Sequence, residues 1–250
     1  MVKNVPGRAF FLDRSNKWGY KNKRSFILMR AMTLGRPGLN VSANRKNGMQ
    51  NMKAKGTKQK IIEEAIELFY EYGFTKASTR QLVGKVGMTS SAIYNHFSNK
   101  EEILFNIIKG AGDKVLAVLY QTIEKYTDPL VCLRQMIAAM LYLFSDGGMR
   151  KEIAIFIDEL YQLPEDLREL CNRQHREIFT LFRNKIRELD EMGKINPVDH
   201  TVAAFGVLGA MLWVYHWFRD NGRLPMKDIS DELTRLLFDG LMRREPMTAF

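Results

Sequence analysis

The chain has 250 residues, a net charge of +10 and 46% hydrophobic residues, enough for a small domain plus a larger one with a buried core. No apolar run reaches the roughly 18 residues that a membrane span needs. Its two cysteines, Cys132 and Cys171, show neither zinc spacing nor a disulfide framework. We therefore expect a cytoplasmic protein with no membrane partner, no metal and no cofactor.

The basic excess lies in residues 1–54, which contain 12 of the 38 Lys and Arg residues and a single acid, Asp13, for a net charge of +11. The remainder has 26 basic and 27 acidic residues and is nearly neutral. Because this segment lacks a sustained helical period and is interrupted by glycine and proline, it is predicted to be a largely disordered arm.

The basic arm has three interpretations, and the first is that it contacts DNA phosphates. A targeting sequence is a second interpretation, although the apolar run 26–29 is too short for a signal peptide. A start of translation at Met49 or Met52 is the third, and we favour it.

Residues 55–109 are predicted to form a small helical domain. Its first helix has an apolar stripe and ends at Gly73; the stripe comprises Ile61, Ala65, Leu68, Phe69 and Tyr72. Three helices fit between about residues 57 and 97, which is the size of a helix-turn-helix domain.

Residues 79–97 predict two short helices joined by a tight turn. Gly87 supplies the positive φ that ends the first helix, and Thr89 is a natural N-cap of the second. Ile93 and Phe97, four residues apart, are expected to anchor the second helix inward. The side chains left outward, Ser90, Ser91, Tyr94 and Asn95, suit a DNA major groove.

A fourth helix is predicted to start near Lys100, with Ser98 as N-cap and Glu101 completing a capping box. The dipole disfavours a cation at a helix start, so Lys100 is better explained by a phosphate partner than by helix stability. A solvated lysine is the alternative.

The run from Lys58 to Leu104 resembles the DNA-binding domain of the TetR family of bacterial transcriptional regulators. The resemblance is carried by Phe69, Gly73, Thr75, Thr79, Gly87-Met88-Thr89, Ile93-Tyr94-Asn95-His96-Phe97, Lys100 and Leu104. Ser91 departs from the usual glycine, and Val83 and Val86 depart from the usual alanine. The resemblance implies a double-stranded DNA operator as partner, contacted by Thr79, Arg80, Thr89, Ser90, Ser91, Ala92, Tyr94, Asn95, His96 and Lys100.

Residues 110–250 are predicted to form a second, all-helical domain, so the fold class is all-α. The expected helices are 115–126, 130–144, 149–161, 165–189, 198–219 and 226–242. Breaks fall at Asp128-Pro129, at 146–148 and at Leu163-Pro164.

The last two helices carry small residues and leucines that favour close packing against a second copy. The positions are Ala203, Ala204, Gly206, Leu208, Gly209, Ala210, Leu212, Leu233, Leu236, Leu237 and Leu241. We expect a homodimer through a four-helix interface that reads a pseudo-palindrome. The alternative is that both helices are internal core.

The second domain is rich in aromatic residues and methionine, which suits a small apolar effector. The candidate lining residues are Met136, Met140, Phe156, Tyr161, Phe179, Trp213 and Trp217. The alternative for each of them is core packing alone, and hydrophobic drugs or sterols are alternative effectors. The segment from Trp213 together with the basic helix 173–187 resembles regulators that sense fatty acids or acyl-CoA. That resemblance implies a phosphate-bearing head near Arg173, Arg176, Arg183 or Arg219.

Nothing in the sequence indicates catalysis. The four histidines lack ligand spacing, and neither a glycine-rich phosphate loop nor a Gly-x-Ser-x-Gly turn is present. His175 and Cys171 share a helix face, but further ligands for a metal are missing. We expect a ligand-released repressor, and the alternative is an architectural or adaptor DNA-binding protein that is insensitive to small molecules.

Overall fold

The computed structural model describes residues 48–241, with side chains from 56 to 240. It contains nine α-helices and one 3₁₀ helix within that range, and no β-strand there, which confirms the all-α prediction. In order these are α1 (Gly48–Tyr72), α2 (Thr79–Val86), α3 (Ser90–Tyr94), α4 (Lys100–Lys125), α5 (Pro129–Leu143), α6 (Gly147–Asp158), the 3₁₀ helix (Leu160–Gln162), α7 (Glu165–Glu191), α8 (His200–Trp217) and α9 (Met226–Leu241).

Helix α1 begins earlier than expected, because residues 48–54 belong to the helix and not to the arm. Those seven residues lack proline and are mostly helix formers, so they extend the helix despite the glycine at its start. The predicted disordered arm, and its interpretations as a DNA-binding arm, a targeting sequence or a segment preceding a later start of translation, concern residues 1–47, which lie outside the described residues. Tyr72, placed in the apolar stripe by its spacing, is 44% exposed, and Ile66 is buried in that helix instead.

Helix α4 runs unbroken through the position where a second domain was expected to begin. The sequence predicts one helix starting near Lys100 and another over 115–126, with the second domain beginning at residue 110, but a single helix of 26 residues takes the place of both and contains Gly110 and Gly112. A helix tolerates an isolated glycine at a modest cost when the residues around it are packed. Ile107, Ile108 and Leu119 are buried on α4, so the helix is held along its length.

Aspartate N-caps start three of the later helices close to where the sequence breaks predicted them. Asp128 accepts from Val131 N at 2.9 Å before α5, with Pro129 in the first turn. Asp146 accepts from Gly148 N and Met149 N at 2.9 and 3.0 Å before α6, and Asp199 accepts from Val202 N at 2.9 Å before α8. Each cap satisfies amide groups that the first turn leaves unpaired.

Helix α4 lies at the centre of the packing. It contacts α5, α6 and α7 on the core side, and α1 on the side of the helix-turn-helix. Helix α7 packs against α5 and α8, while α9 closes the far end against α5 and α8. One apolar core runs from Ile61 and Phe97 in the first helices to Phe182 in α7 and Phe238 in α9.

Candidate DNA-reading surface and effector core

Local capping fixes the geometry of α2 and the turn that follows it. The Ser78 side chain accepts from Gln81 N at 3.2 Å, and the Gln81 side chain accepts from Ser78 N at 2.8 Å. This reciprocal capping box was not found by sequence reasoning, although the Ser-x-x-Gln spacing carries its signal. At the other end, Gly87 has a φ of 72° and its N–H donates to Val83 O at 3.0 Å. Both ends of α2 are therefore closed by their own residues.

Helix α3 is short, and it is held by an N-cap at its start and by buried apolar side chains on its inner side. Thr89 is its N-cap and accepts from Ala92 N at 3.2 Å, as predicted. Ile93 and Phe97 are buried, also as predicted. Ser90, Ser91 and Asn95 are exposed, whereas Ala92 and His96 are partly buried. The helix thus presents small polar groups to solvent on a fixed apolar base.

A side-chain hydrogen bond joins the two helices of the motif across their exposed surface. The Tyr94 hydroxyl donates to Thr79 Oγ1 at 3.2 Å. Tyr94 is at the end of α3 and Thr79 is the first residue of α2, with Arg80 exposed beside it. This contact brings the start of α2 and the end of α3 onto one surface, where a backbone phosphate and base edges meet in a groove-bound motif.

Lys100 has an internal partner. Its ammonium group donates to the Phe74 carbonyl and lies 4.1 Å from the centre of the Phe74 ring. The Phe69 ring is 5.8 Å away. Burial lowers the pKa of Lys100, and the neighbouring carboxylates of Glu101 and Glu159 oppose that shift. Lys100 therefore ties the start of α4 to the loop after α1, and its phosphate role stays a prediction.

The predicted capping box of α4 is off by one residue. Asn99, not Ser98, is the N-cap, and its Oδ1 accepts from Glu102 N at 2.8 Å. Glu102, not Glu101, reaches back to accept from Ser98 N at 2.6 Å. Asparagine competes with serine as an N-cap, so spacing alone did not decide between two adjacent candidates.

Two long-range contacts join the helix-turn-helix to α6 and the segment that follows it. Glu67 on α1 pairs with Lys151 on α6 at 2.6 Å. The Phe74 N–H donates to Glu159 Oε1 at 3.3 Å, and Glu159 is buried. The loop after α1 is therefore held both by Lys100 on α4 and by Glu159 at the end of α6.

The apolar candidates for an effector site separate into two groups. Met136, Met140, Phe156 and Phe179 are buried, and Tyr161 is partly buried. Trp213 and Trp217 are 38% and 48% exposed, so they do not join the buried set. The inward face of α8 is instead occupied by residues such as Val207, Met211 and Val214.

Several basic side chains suggested for an effector head already have partners. Arg176 pairs with Glu169, the Arg183 guanidinium lies 5.5 Å from the centre of the Phe179 ring, and Arg219 donates to backbone carbonyls, including that of Phe218 at 2.9 Å. Arg173 is exposed.

Within residues 56–240, no group of three or more His, Cys, Asp and Glu side chains is placed to hold a metal ion. His175 uses Nδ1 toward the backbone carbonyl of Cys171 at 3.1 Å. In the described part of the chain no single helix is long and apolar enough to cross a membrane; α5 and α6 meet that length and composition only as a pair bent by 101°.

Short capped helices with an exposed polar recognition helix, joined to a helical core, define a DNA-binding transcriptional regulator of the helix-turn-helix class. Residues 61–107 match the family model for bacterial regulatory proteins of the tetR family, and residues 127–241 match the model for a tetracyclin repressor-like C-terminal domain. The chain belongs to the TetR family, whose members are DNA-binding, ligand-responsive regulators and not enzymes.

Similar proteins include regulators with known structures. The HTH-type transcriptional repressor KstR2 of Mycobacterium tuberculosis is 21% identical over 188 residues, which cover 73% of this chain and 92% of the relative. AibR, in a crystal structure with isovaleryl coenzyme A and operator DNA, is 28% identical with a TM-score of 0.70, covering 74% of this chain and 99% of AibR. The TetR family regulator PfmR of Thermus thermophilus is 27% identical with a TM-score of 0.67, over 73% of this chain and 99% of PfmR.

Proposed function

We propose that this protein is a cytoplasmic repressor that binds a palindromic operator as a homodimer and is released by a small apolar effector. The observation that carries the proposal is the fixed pair of short helices. Their apolar side is buried through Ile93 and Phe97, and their polar side is joined by the hydrogen bond from Tyr94 to Thr79. A rigid polar helix of this kind reads base edges because its side chains need no reordering on binding.

The DNA-contacting residues we propose divide by their chemistry. Ser90, Ser91 and Asn95 are exposed and carry the hydrogen-bonding groups that read bases. Phosphate contacts come from the groups around them, which set the register of the helix on the duplex. This second set is Thr79, Arg80, Thr89, Tyr94, His96 and Lys100; Ala92, whose N–H already donates to Thr89, is proposed to contact DNA through its methyl group.

The dimer interface is proposed on the outer surfaces of α8 and α9. Val202, Trp213, Trp217 and Leu236 are exposed apolar side chains on these helices. Gly206 and Gly209 lie in the same row of α8, and a Cβ at either position would meet no atom within 4 Å. An open row of small and apolar residues permits the backbone of a second copy to approach closely, and the resulting interface is isologous. Trp213 and Trp217 therefore belong to this surface and not to the effector site.

The effector site is proposed among α4, α5, α6 and α7, lined by Met136, Met140, Phe156 and Phe179, with Tyr161 at its edge. Support comes from their burial and from the likeness to AibR, whose structure holds isovaleryl coenzyme A together with operator DNA. An acyl-CoA is accordingly the first effector class to test, with the acyl chain among these apolar side chains. For its phosphates we propose Arg173, an exposed cation on α7.

We also propose that residues 55–109 act as the DNA-binding unit and 110–250 as the effector-binding and dimerisation unit. The boundary lies inside α4, so any displacement of this helix by the effector is passed directly to the helix-turn-helix. The ion pair of Glu67 with Lys151 and the contact of Phe74 with Glu159 join the same two units a second time. An effector that binds better to the DNA-incompetent arrangement shifts the population by that difference in affinity.

Operator binding tests the proposal. Fluorescence anisotropy of the full chain is measured on DNA from upstream of its own gene and of the adjacent genes, with and without a series of acyl-CoAs. We expect tight binding to one palindrome and release by at least one acyl-CoA, with the double variant S90A/N95A losing preference for that palindrome over scrambled DNA. The matched control is Ser145→Ala, an exposed serine outside the motif. Operator affinity that no acyl-CoA changes contradicts the acyl-CoA assignment, and equal affinity for all DNA sequences contradicts the specific repressor.

A further inference from the structure

A buried imidazole lies against Phe156, one of the proposed effector-lining residues, and one of its ring nitrogens makes no hydrogen bond within the described residues. His175 on α7 is only 3% exposed, and its ring stacks on Phe156 of α6 with the centres 4.0 Å apart and the planes 16° from parallel. Among the residues that the structure describes, its Nε2 has no hydrogen-bond partner. A buried polar atom without a partner is costly, so such an atom calls for an explanation.

The other ring nitrogen determines what Nε2 is able to do. Nδ1 lies 3.1 Å from the Cys171 carbonyl oxygen, which only accepts, so Nδ1 carries the proton. Burial lowers the pKa of His175 to about 4, so the ring is neutral at physiological pH. A neutral ring protonated on Nδ1 leaves Nε2 as an acceptor that offers no proton.

In the part of the chain that the structure describes, the residues beside His175 on α7 do not supply a donor. The side-chain amide nitrogen of Gln174 already donates to two acceptors on α4, which are Asp113 Oδ1 at 2.7 Å and the Lys109 carbonyl at 3.1 Å. The carboxamide oxygens of Gln174 and of Asn172 are buried and, within the described residues, also have no hydrogen-bond partner. The same turn of α7 that contains His175 therefore has buried acceptors in excess of donors.

We infer that His175 Nε2 is the polar anchor of the effector site, and that it accepts a hydrogen bond from a hydroxyl or amide N–H on a neutral, largely apolar part of the effector. The inference rests on the proposed function and specifies the chemistry of its effector. Phe156 supplies a flat apolar wall beside the anchor. Carboxylates and phosphates lack a proton to donate and are not held at this atom. In a larger molecule that contains both kinds of group, the donor is at His175 and the anionic group is elsewhere.

The first part of the test needs no effector. Long-range ¹H–¹⁵N spectra of the full chain with ¹⁵N-labelled histidine report the protonation of each ring nitrogen, and the His175 signals are assigned by their loss in His175→Phe. We expect a neutral ring protonated at Nδ1 from pH 5.5 to pH 8. A proton on Nε2, or a charged ring at pH 7, overturns the inference.

The second part uses matched pairs of probes, in which one member has O–H or N–H donors and the other has them replaced by methyl groups. The pairs are 1-decanol with decyl methyl ether, and decanamide with N,N-dimethyldecanamide. Each is titrated while the Nε2 resonance and the thermal midpoint of the full chain are followed. We expect each donor to bind about tenfold more tightly than its partner, and to shift the Nε2 resonance, because one hydrogen bond is worth roughly that factor.

His175→Phe keeps the aromatic stack on Phe156 but removes the acceptor, so it is expected to bind both members of a pair equally. His175→Gln retains an acceptor and is expected to keep part of the difference. Equal binding of both members by the wild-type protein, or no binding of either, overturns the inference. Because neither readout involves DNA, its failure is distinct from failure of the operator experiment.

Discussion

Lys100 combines an observed contact inside the domain with a predicted contact with DNA. Inside the domain it donates to the Phe74 carbonyl and lies over the Phe74 ring. Its position at the first residue of α4 also suits an external phosphate, as the TetR-like pattern implies. An ammonium group has three donors, so the internal bond leaves donors for the phosphate.

Lys100→Ala is therefore expected to act on both stability and binding. Loss of the bond to Phe74 is expected to lower the free energy of unfolding by about 1 kcal/mol. Loss of the phosphate contact is expected to weaken operator and scrambled DNA alike and to lower the slope of log K against log salt by about 1. Lys114→Ala is the matched control, since Lys114 lies on the same helix and pairs with Glu152 at 2.6 Å. An unchanged salt slope with reduced stability would leave Lys100 with its internal role alone.

His175 makes stability depend on pH in a defined direction. Its pKa in the folded protein is lowered to about 4, chiefly by burial, while the Cys171 carbonyl opposes that shift and Arg176 adds to it. In the unfolded chain the pKa is about 6.5, so the unfolded chain binds more protons between these values. The stabilisation contributed by a neutral His175 is complete above about pH 6.5 and is lost as the pH falls toward 4.

Urea unfolding at pH 7.5 and pH 5 measures this dependence. At 1.36 kcal/mol for each pKa unit, the wild-type protein is expected to lose about 2 kcal/mol more than His175→Phe between these pH values. The same loss in both proteins would show that His175 is not the responsible group.

Sequence reasoning located His175 only as a residue four positions from Cys171 on one helix face. The sequence offers no further ligands for a metal beside this pair, and in the structure the ring contacts the Cys171 backbone and stacks on Phe156 of another helix. Contacts between helices depend on crossing geometry that no local pattern encodes. The caps at Thr89 and Gly87 were predictable because their hydrogen bonds close within four residues.

At the scale of elements, α4 is where local patterns misled most. Gly110 and Gly112 have the same helix-breaking tendency, but their surroundings differ. A Cβ at 110 would meet no atom within 4 Å, whereas a Cβ at 112 would meet the Gln174 carboxamide, lying 2.6 Å from its Cδ. Gly112 therefore permits α7 to approach α4, which the sequence alone does not distinguish from a domain boundary.

The two glycines make a matched pair of substitutions. Gly110→Ala is expected to raise the free energy of unfolding by roughly 0.5–1 kcal/mol through helix propensity. Gly112→Ala is expected to lower it by about 1 kcal/mol, because displacement of Gln174 breaks two hydrogen bonds and outweighs the same gain. Urea unfolding of both variants checks this, together with G112A/Q174A, in which the penalty from the clash should disappear. Equal stabilisation by both alanines would contradict a close approach at Gly112.

At the scale of the whole molecule, the exposed apolar residues of α8 and α9 bear on the oligomeric state, because they form the proposed dimer interface. The small residues of α8 and the leucines of α9 predict an interface. Composition does not indicate which face of an apolar helix is covered, so the sequence also predicts Trp213 and Trp217 as lining residues of the effector site. In the structure both tryptophans are on the outer side, with Leu236 60% exposed on α9.

Leu236→Glu is expected to produce a folded monomer, since the substitution adds a charge to the proposed interface without removing core contacts. Light scattering is expected to show the mass falling by half, while the far-ultraviolet circular dichroism is unchanged, and operator affinity is expected to fall at least tenfold. Leu170→Glu is the control, because Leu170 is 42% exposed on α7. A dimeric Leu236→Glu protein, or a wild-type monomer at saturating operator, contradicts the interface.

The continuity of α4 has a mechanical consequence. Twenty-six residues at 1.5 Å each make a rod of about 39 Å, from the Lys100 contact with the Phe74 loop to the far side of the core. If the far end is fixed, a tilt of only about 5° displaces the near end by roughly 3 Å, which is comparable to the length of a hydrogen bond. Each subunit of a dimer contributes such a displacement, so the spacing between the two recognition helices changes by up to twice that amount. The recognition helix thus lies at one end of a long rigid helix, so a modest rearrangement around the core is sufficient to misalign the recognition helix with the DNA groove.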